Sequence, residues 1–329
     1  MMLRQFLFCL LSLVAQGILT LSLSPSPLPK KQVIVTGAAG RTGQLVFSSL
    51  MKDSRYYPLG LVRTESSAKK LIKDVHHCGL ENIWVCDVTE LQGPKKSGLP
   101  KGVNEAEAMV ICTSAVPMMK KRSLAKTFLK MPLNLLRGRK AFDFRSLEFC
   151  YKRGQHPEKV DYEGQLAQID LAKSLGISHV VLVSSMGGTD PNDFLNTLGK
   201  KKNGEGDGDI LIWKRKAEKY LIESGLQYTI IHPGGLKNSP GGELDFDLDV
   251  DDKLKARTIR SISRCDVAAL CIAALSESNG KSASFDCVNA EIPEGSSRRS
   301  AEVALGTFLG SGKEYDYSDM EEIPEDFSI

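Results

Sequence analysis

Short runs of β-branched and apolar residues alternate along the chain with longer stretches whose apolar positions recur every three or four residues. The first pattern suits a strand buried on both faces, the second a helix that covers a sheet. Strands are predicted at Gln32 to Thr36, Tyr57 to Val62, Asn82 to Val85, Ala108 to Thr113, His179 to Ser184, Tyr228 to Ile231 and Ser284 to Val288. Helices fall between them at Thr42 to Met51, Ala68 to Cys78, Asp161 to Leu175, Leu211 to Ser224 and Cys265 to Leu275. This alternation predicts an α/β fold, a doubly wound parallel sheet in one domain spanning residues 30–312. Three long loops, Ala115 to Lys159, Gly187 to Asp209 and Pro233 to Ser261, are expected at the carboxyl edge of the sheet, where open α/β folds bind ligands.

Glu243, Asp245, Asp247, Asp249 and Asp251 alternate with apolar or small residues. A calcium loop would need Gly at its sixth position and Glu at its twelfth; counted from Asp247 these are Asp252 and Thr258. Period-two alternation predicts instead an edge strand with one acidic face. His76, His77, Cys78 and Cys86 lack zinc-ligand spacing. The segment from Glu314 to Ile329 is acidic and reads as a solvated tail beginning near residue 313.

The first predicted strand runs into Gly37-Ala38-Ala39-Gly40-Arg41-Thr42-Gly43 and then into a periodic helix. Gly37 permits the tight turn, Gly40 lets backbone approach a pyrophosphate, and Gly43 lets helix and strand pack closely while helix N–H groups face the phosphates. Ala39, Arg41 and Thr42 complete the loop. An NAD site places an acid at the end of the second strand, whereas an Arg there accommodates the 2′-phosphate of NADP. Leu61-Val62-Arg63-Thr64 puts Arg63 at that end, with Lys69 and Lys70 near, so NADP(H) is the expected cofactor. Asp87 and Val88 should edge the adenine, and Thr113, Ser114 and Ala115 the nicotinamide.

The 329 residues are 42% hydrophobic and 25% charged, with a formal net charge of +3, which fits a globular protein and names no partner. Residues 1–29 differ: Arg4 precedes an apolar stretch from Phe6 to Val14, and Ala15-Gln16-Gly17 follows as a cleavable small-residue region. Gln16 and Gly17 cut the apolar run short of the roughly 20 residues a membrane span needs. We read a cleavable signal, followed by a Ser- and Pro-rich, acid-free segment of transit type. Cleavage leaves seven of the eight cysteines, an odd number spread over predicted strands and helices, unlike a disulfide framework. A plastid reached through a signal-like presequence reconciles these features; the secretory pathway is the alternative.

Together these motifs resemble the atypical branch of the short-chain dehydrogenase/reductase superfamily. More narrowly, Thr113-Ser114-Ala115-Val116-Pro117, Val160-Asp161 with Gly164-Gln165 and Gln168-Ile169-Asp170, Ser185-Met186-Gly187-Gly188-Thr189, Trp213 to Glu218 and Gly234-Gly235-Leu236 are similar to an NmrA-like group of plant and algal NAD(P)-binding Rossmann proteins, several of them in plastids. The resemblance covers roughly Lys31 to Pro293 and implies hydride chemistry without fixing a reaction. In catalytic members a Ser polarises the substrate carbonyl, a Tyr gives the proton, and a Lys four residues later holds the ribose. Ser185 matches the first and Lys214 the last, but the Tyr position is Ile210, and His232 stands where relatives often carry Arg. Tyr162 and His232 are the nearest substitute donors by predicted loop position.

Between Lys120 and Lys159 twelve Lys or Arg face three acids, with Leu124, Phe128, Met131 and Leu135 at near-helical spacing and Pro132 expected to interrupt the helix. A solvated lid, a membrane-surface helix and a nucleic-acid contact all fit this composition. Three functions stay open: an oxidoreductase acting on a small-molecule carbonyl or quinone, a non-catalytic NADP(H)-binding sensor or partner module, and a nucleic-acid-binding reductase. No nucleic-acid motif is evident, and no stable membrane span is expected after cleavage.

Overall fold

The computed structural model describes residues 30–90, 103–138, 141–142, 147–201, 203–277 and 280–318. The expected presequence and the tail beyond Ser318 lie outside them.

In chain order the elements are β1 (Lys31–Thr36), α1 (Gly43–Lys52), β2 (Tyr56–Val62), α2 (Glu65–Asp74), β3 (Ile83–Val85), β4 (Ala106–Ile111), β5 (Met118–Met119), α3 (Lys121–Leu136) and β6 (Phe149–Cys150). A π-helical turn (Glu158–Glu163) leads into α4 (Gly164–Leu175), followed by β7 (His179–Val183), α5 (Phe194–Thr197), α6 (Ile210–Glu223) and β8 (Gln227–Pro233). The chain continues through β9 (Gly235–Lys237), β10 (Asp245–Asp249), β11 (Ser261–Ser263), α7 (Arg264–Glu277), β12 (Ala283–Ala290) and α8 (Ala301–Gly310).

Eight strands form the central sheet in the order β10-β12-β8-β7-β4-β1-β2-β3. All pairings are parallel except the antiparallel β10–β12 edge. The doubly wound α/β Rossmann sheet is therefore the observed fold. Alternation sorts β1 between two layers: Val33 and Val35 join Phe47, Leu50 and Leu270 on one face, and Ile34 joins Met109, Ile169 and Leu221 on the other. Val46, Phe47 and Leu50 give α1 its buried stripe at spacings of one, three and four. Thr64 caps α2 by accepting from Ser67 N at 3.2 Å, and Gly176 ends α4 in the left-handed region.

The acidic alternation forms the edge strand β10, and its carboxylates meet cations: Asp245 with Arg299, Asp247 with Arg257 and Asp249 with Lys313. Two expectations need correction. Pro132 does not interrupt the basic helix, for α3 runs through it to Leu136. The missing N–H frees the Phe128 carbonyl, and both residues lie on an exposed side where water can satisfy that oxygen. The tail is not solvated from its start, because Tyr315 is buried and Tyr317 bonds into the domain. Arg215 makes that possible: its guanidinium lies 5.2 Å from the Tyr315 ring and 4.2 Å from the Tyr317 ring.

Candidate functional site

Strand order reverses at β1, with β2 and β3 to one side and β4, β7, β8 and β12 to the other. The two windings leave a crevice beyond the carboxyl ends of β1 and β4. Gly37 turns the chain there with φ of +64°, and a Cβ on it would lie 3.0 Å from the Cys112 carbonyl. Gly43 opens α1 so close to that turn that a Cβ would stand 2.3 Å from the Gly37 oxygen. The glycines thus bring the N-terminus of α1 against the crevice, a ready seat for an anion.

The crevice has two chambers. The first, about 250 Å³, is lined by Gly37, Ala39, Gly40, Arg63, Ser67, Asp87, Val88 and Thr113 among others. The second, about 550 Å³, has Arg41, Thr42, Ser185, Ile210, Lys214 and Pro233 in its wall. Cys112 and Ser114 line both, so the chambers join at the end of β4. Burial pushes the Cys112 thiol up to about 12, and the neighbouring Lys214 charge only partly opposes it, so this sulfur stays protonated. Of the predicted contacts, Gly43 and Ala115 line neither chamber. Gly43 serves packing, and Ala115 N donates to Asp161 Oδ2 at 2.9 Å.

Lys214 and Ile210 sit one turn apart on α6 and both reach the second chamber, as does Ser185 beyond β7. No tyrosine lines that chamber. Ile210 therefore fills the wall where the resemblance implies a proton donor. Neither substitute is placed to act: Tyr162 is buried against Trp213 with ring centroids 5.5 Å apart, and His232 is buried behind the wall. Both stand near the site by loop position in the sequence, but the π-helical turn packs Tyr162 onto Trp213 of α6, and the tail packs Tyr315 onto His232 of β8.

Sequence reasoning gave no role to Asp161. The π-helical turn aims it at α6, where Oδ1 meets Lys214 Nζ at 2.7 Å with both side chains almost fully buried. Gln165 and Gln168 were also missed; they donate to the Thr113 carbonyl at 3.3 Å and to Thr113 Oγ1 at 3.0 Å, fixing the end of β4. The run of small and polar residues from Asp161 to Gln168 was visible as a motif, but nothing local told which strand it addressed.

Behind the Ser185 wall lies a buried polar cluster. Glu218 accepts from Ser184 Oγ, bonds His232 Nε2 at 3.0 Å and accepts from Tyr317 OH at 2.9 Å. Burial pushes the Glu218 carboxyl up, but His232 and Arg215 outweigh that and hold it below its ordinary value. For His232 burial acts downward, and the Glu218 charge and hydrogen bond overcome it and raise the imidazole. Asp286, with Oδ1 3.7 Å from His232 Nδ1, is pushed by burial up to about 7 although His232 pulls it down. Its Oδ2 accepts from Asp252 N at 2.7 Å, and the Asp252 carboxylate in turn accepts from Gly187 N and Thr189 N. The cluster thereby anchors the loop that follows Ser185.

A family model described as NAD(P)H-binding matches residues 146–278, the part that carries Ser185 and Lys214. Sanguinarine reductase of Eschscholzia californica is 39% identical over 265 residues, covering 78% of this chain and 88% of that protein. The chain belongs to the NAD(P)H-binding Rossmann-fold family to which these matches point. It is an NAD(P)-binding protein of oxidoreductase type. A chloroplastic protein of Arabidopsis thaliana with no assigned activity is 38% identical over 264 residues, 80% of this chain and 70% of that one. Among solved structures, an oxidoreductase from Lactococcus lactis shares the fold with a TM-score of 0.52 at 19% identity, over 85% of this chain and 97% of that one.

Proposed function

We propose that this protein is an NADP(H)-dependent reductase of a small carbonyl or quinone acceptor. The observation that carries the reading is the second chamber, which opens onto the dinucleotide crevice at Cys112 and Ser114 and presents Ser185 and Lys214 together. Gly37, Ala39, Gly40, Arg41 and Thr42 would hold the pyrophosphate, Arg63 the 2′-phosphate, Asp87 and Val88 the adenosine, and Thr113, Ser114 and Lys214 the nicotinamide riboside. When bound, the cofactor supplies the hydride. Ser185 Oγ, whose nearest partner is its neighbour's carbonyl at 3.2 Å, would turn its proton to the acceptor oxygen. With Ile210 in the wall, the proton comes from solvent, which suits a quinone better than an isolated carbonyl. The relative named as a reductase at 39% identity supports the reading. Oxidation of NADPH with a panel of quinones and carbonyls tests it; binding without turnover of any acceptor would leave the non-catalytic sensor, which Ile210 favours.

Arg63 is exposed in the first chamber and forms no ion pair among the described residues. NADP(H) is expected to bind at least about tenfold more tightly than NAD(H), and Arg63→Ala to remove most of the difference, because a charge-assisted contact to phosphate contributes about 1.5 to 3 kcal/mol. Equal calorimetric affinities for the two cofactors in the unaltered protein would defeat the assignment. Ser185→Ala should leave cofactor affinity unchanged and lower kcat for the acceptor. Ile210→Tyr should raise carbonyl reduction on the order of a hundredfold by restoring a general acid one turn from Lys214; steady-state kinetics on one aldehyde with both variants reads both effects.

The plastid is the proposed compartment, supported by chloroplastic relatives and by the acid-free start of the chain. Removal of about the first 17 residues belongs to the same proposal. No helix among the described residues is long and apolar enough to cross a membrane.

A further inference from the structure

Helix α3 packs the wrong way round for a helix that only covers a domain. The residues it buries are Ser123 and Thr127, and they are small and polar. Ser123 Oγ donates to the Lys120 carbonyl at 2.9 Å and accepts from Glu148 N at 3.0 Å, so this face is satisfied by hydrogen bonds. The large apolar side chains point the other way: Leu129 is 81% exposed, Leu136 85% and Leu135 61%, and Phe128 and Leu133 are exposed beside them. At 3.6 residues per turn, Ala125, Phe128, Leu129, Pro132, Leu135 and Leu136 share an arc of about 120°. Phe142, itself exposed, extends the patch, its ring centroid 5.9 Å from that of Phe128. Isolated exposed apolar residues need no explanation, but a contiguous stripe of this kind marks a surface that something covers.

The charges around the stripe say what. Arg122, Lys126 and Lys130 line one edge of it, Lys121 and Arg137 stand at its ends, and no Asp or Glu occurs from Met118 to Gly138. All five cations are exposed and none forms an ion pair among the described residues. A second copy of the chain would set two such cationic helices side by side, which like-charge repulsion opposes. An apolar face bordered by cations with long alkyl stems is complementary to the interface of a bilayer with anionic headgroups, where the stripe enters the acyl boundary and the ammonium groups reach the phosphates. We propose that α3 is an interfacial helix that docks the protein on an anionic lipid surface. Pro132 fits that role, since its side of the helix is the one turned outward. The helix begins four residues after Pro117 of the second chamber, so docking brings the mouth of that chamber toward the lipid.

The test is co-sedimentation of the chain from Lys31 on, the compact unit that contains every described element, with vesicles of phosphatidylcholine or of phosphatidylcholine with about 30% phosphatidylglycerol. Binding to the anionic vesicles is expected to exceed binding to neutral ones by at least about tenfold and to fall steeply with salt. Phe128→Ser with Leu129→Ser, and separately Lys126→Glu with Lys130→Glu, should each lower it at least about tenfold. Neither pair lines a chamber, so unchanged NADPH affinity certifies the fold of both variants and keeps this test independent of the reductase reading. Absence of binding to anionic vesicles, equal binding to neutral ones, or unaltered binding of either variant overturns the proposal. So does a concentration-dependent dimer that Phe128→Ser with Leu129→Ser dissolves, or salt-sensitive retention of RNA in place of lipid.

Discussion

Asp161→Asn is expected to destabilise the protein by about 3 to 5 kcal/mol, the largest effect of any single change at the site. The reason is the environment of Lys214, whose ammonium is nearly inaccessible and has the Asp161 carboxylate 2.7 Å away as its ion-pair partner. Removing one member of a buried pair leaves the other charge uncompensated in a medium that solvates it poorly, which costs about that much. Lys214→Met should be destabilising for the same reason, although Ala115 N continues to satisfy one Asp161 oxygen. Removing both charges together, as Asp161→Asn with Lys214→Met, should restore much of the stability, because no uncompensated charge is left buried and the Asn oxygen still accepts from Ala115 N. Urea unfolding of the three variants completes the cycle, with the coupling read as the departure from additivity. Cofactor titration of the stable double variant then isolates what Lys214 does for the ribose. Additive single effects would mean that the two side chains do not interact in solution, and the assignment of Lys214 to a fixed position in the chamber would go with them.

The second large effect is a pH dependence. Asp286 ionises near 7 in the folded chain against 3.8 for the free side chain, because burial disfavours its charge. Between those values the native state holds a proton that the unfolded chain has released. Its contribution to stability is thus complete below about 4 and declines as the pH rises to about 7, by about 4 kcal/mol. Asn at this position accepts the same bond from Asp252 N and cannot ionise, so the stability of Asp286→Asn relative to the unaltered protein should climb across that window and level off above it. Groups that face Asp286 sharpen the comparison. His232 also has a raised value, so its contribution is lost as pH rises; Glu218 has a lowered one, so its contribution is lost as pH falls. Both remain in the variant, and because the Asp286 charge is one of the causes that raise His232, the difference between the two proteins reports Asp286 together with its coupling to His232. Thermal midpoints from pH 4 to 8 measure it, and a constant gap over that range would contradict the assignment.

What the sequence disclosed and what it withheld divide along physical lines. Gly37 and Gly43 were legible because a positive φ and a close helix–strand approach leave glycine as the residue that fits, and that constraint is local. Ser185, Lys214 and the position of Ile210 were legible through the family resemblance, which puts the lysine four residues after the usual proton donor. Asp161 was not, since its partner is fifty-three positions away and only the packing of α4 on α6 brings the charges together. The outward stripe of α3 was visible as periodicity, but which side faces the domain depends on Ser123 bonding to Glu148, a contact no period announces. Tyr315 and Tyr317 were lost among acids in a segment whose mean character is that of a solvated end; two aromatic rings against one guanidinium outweigh that average.

That tail also orders the events of biosynthesis. A nascent chain that has emerged as far as Ala290 possesses all eight strands of the central sheet. It cannot yet close the cluster behind Ser185, because Tyr317 reaches Glu218 from ninety-nine positions downstream and Asp316 meets Arg215 from one hundred and one. Without those residues Glu218 lacks the Tyr317 hydroxyl, and Arg215 lacks the Asp316 carbonyl and the two rings that cover it. That cluster is therefore closed only by residues made after every strand of the central sheet.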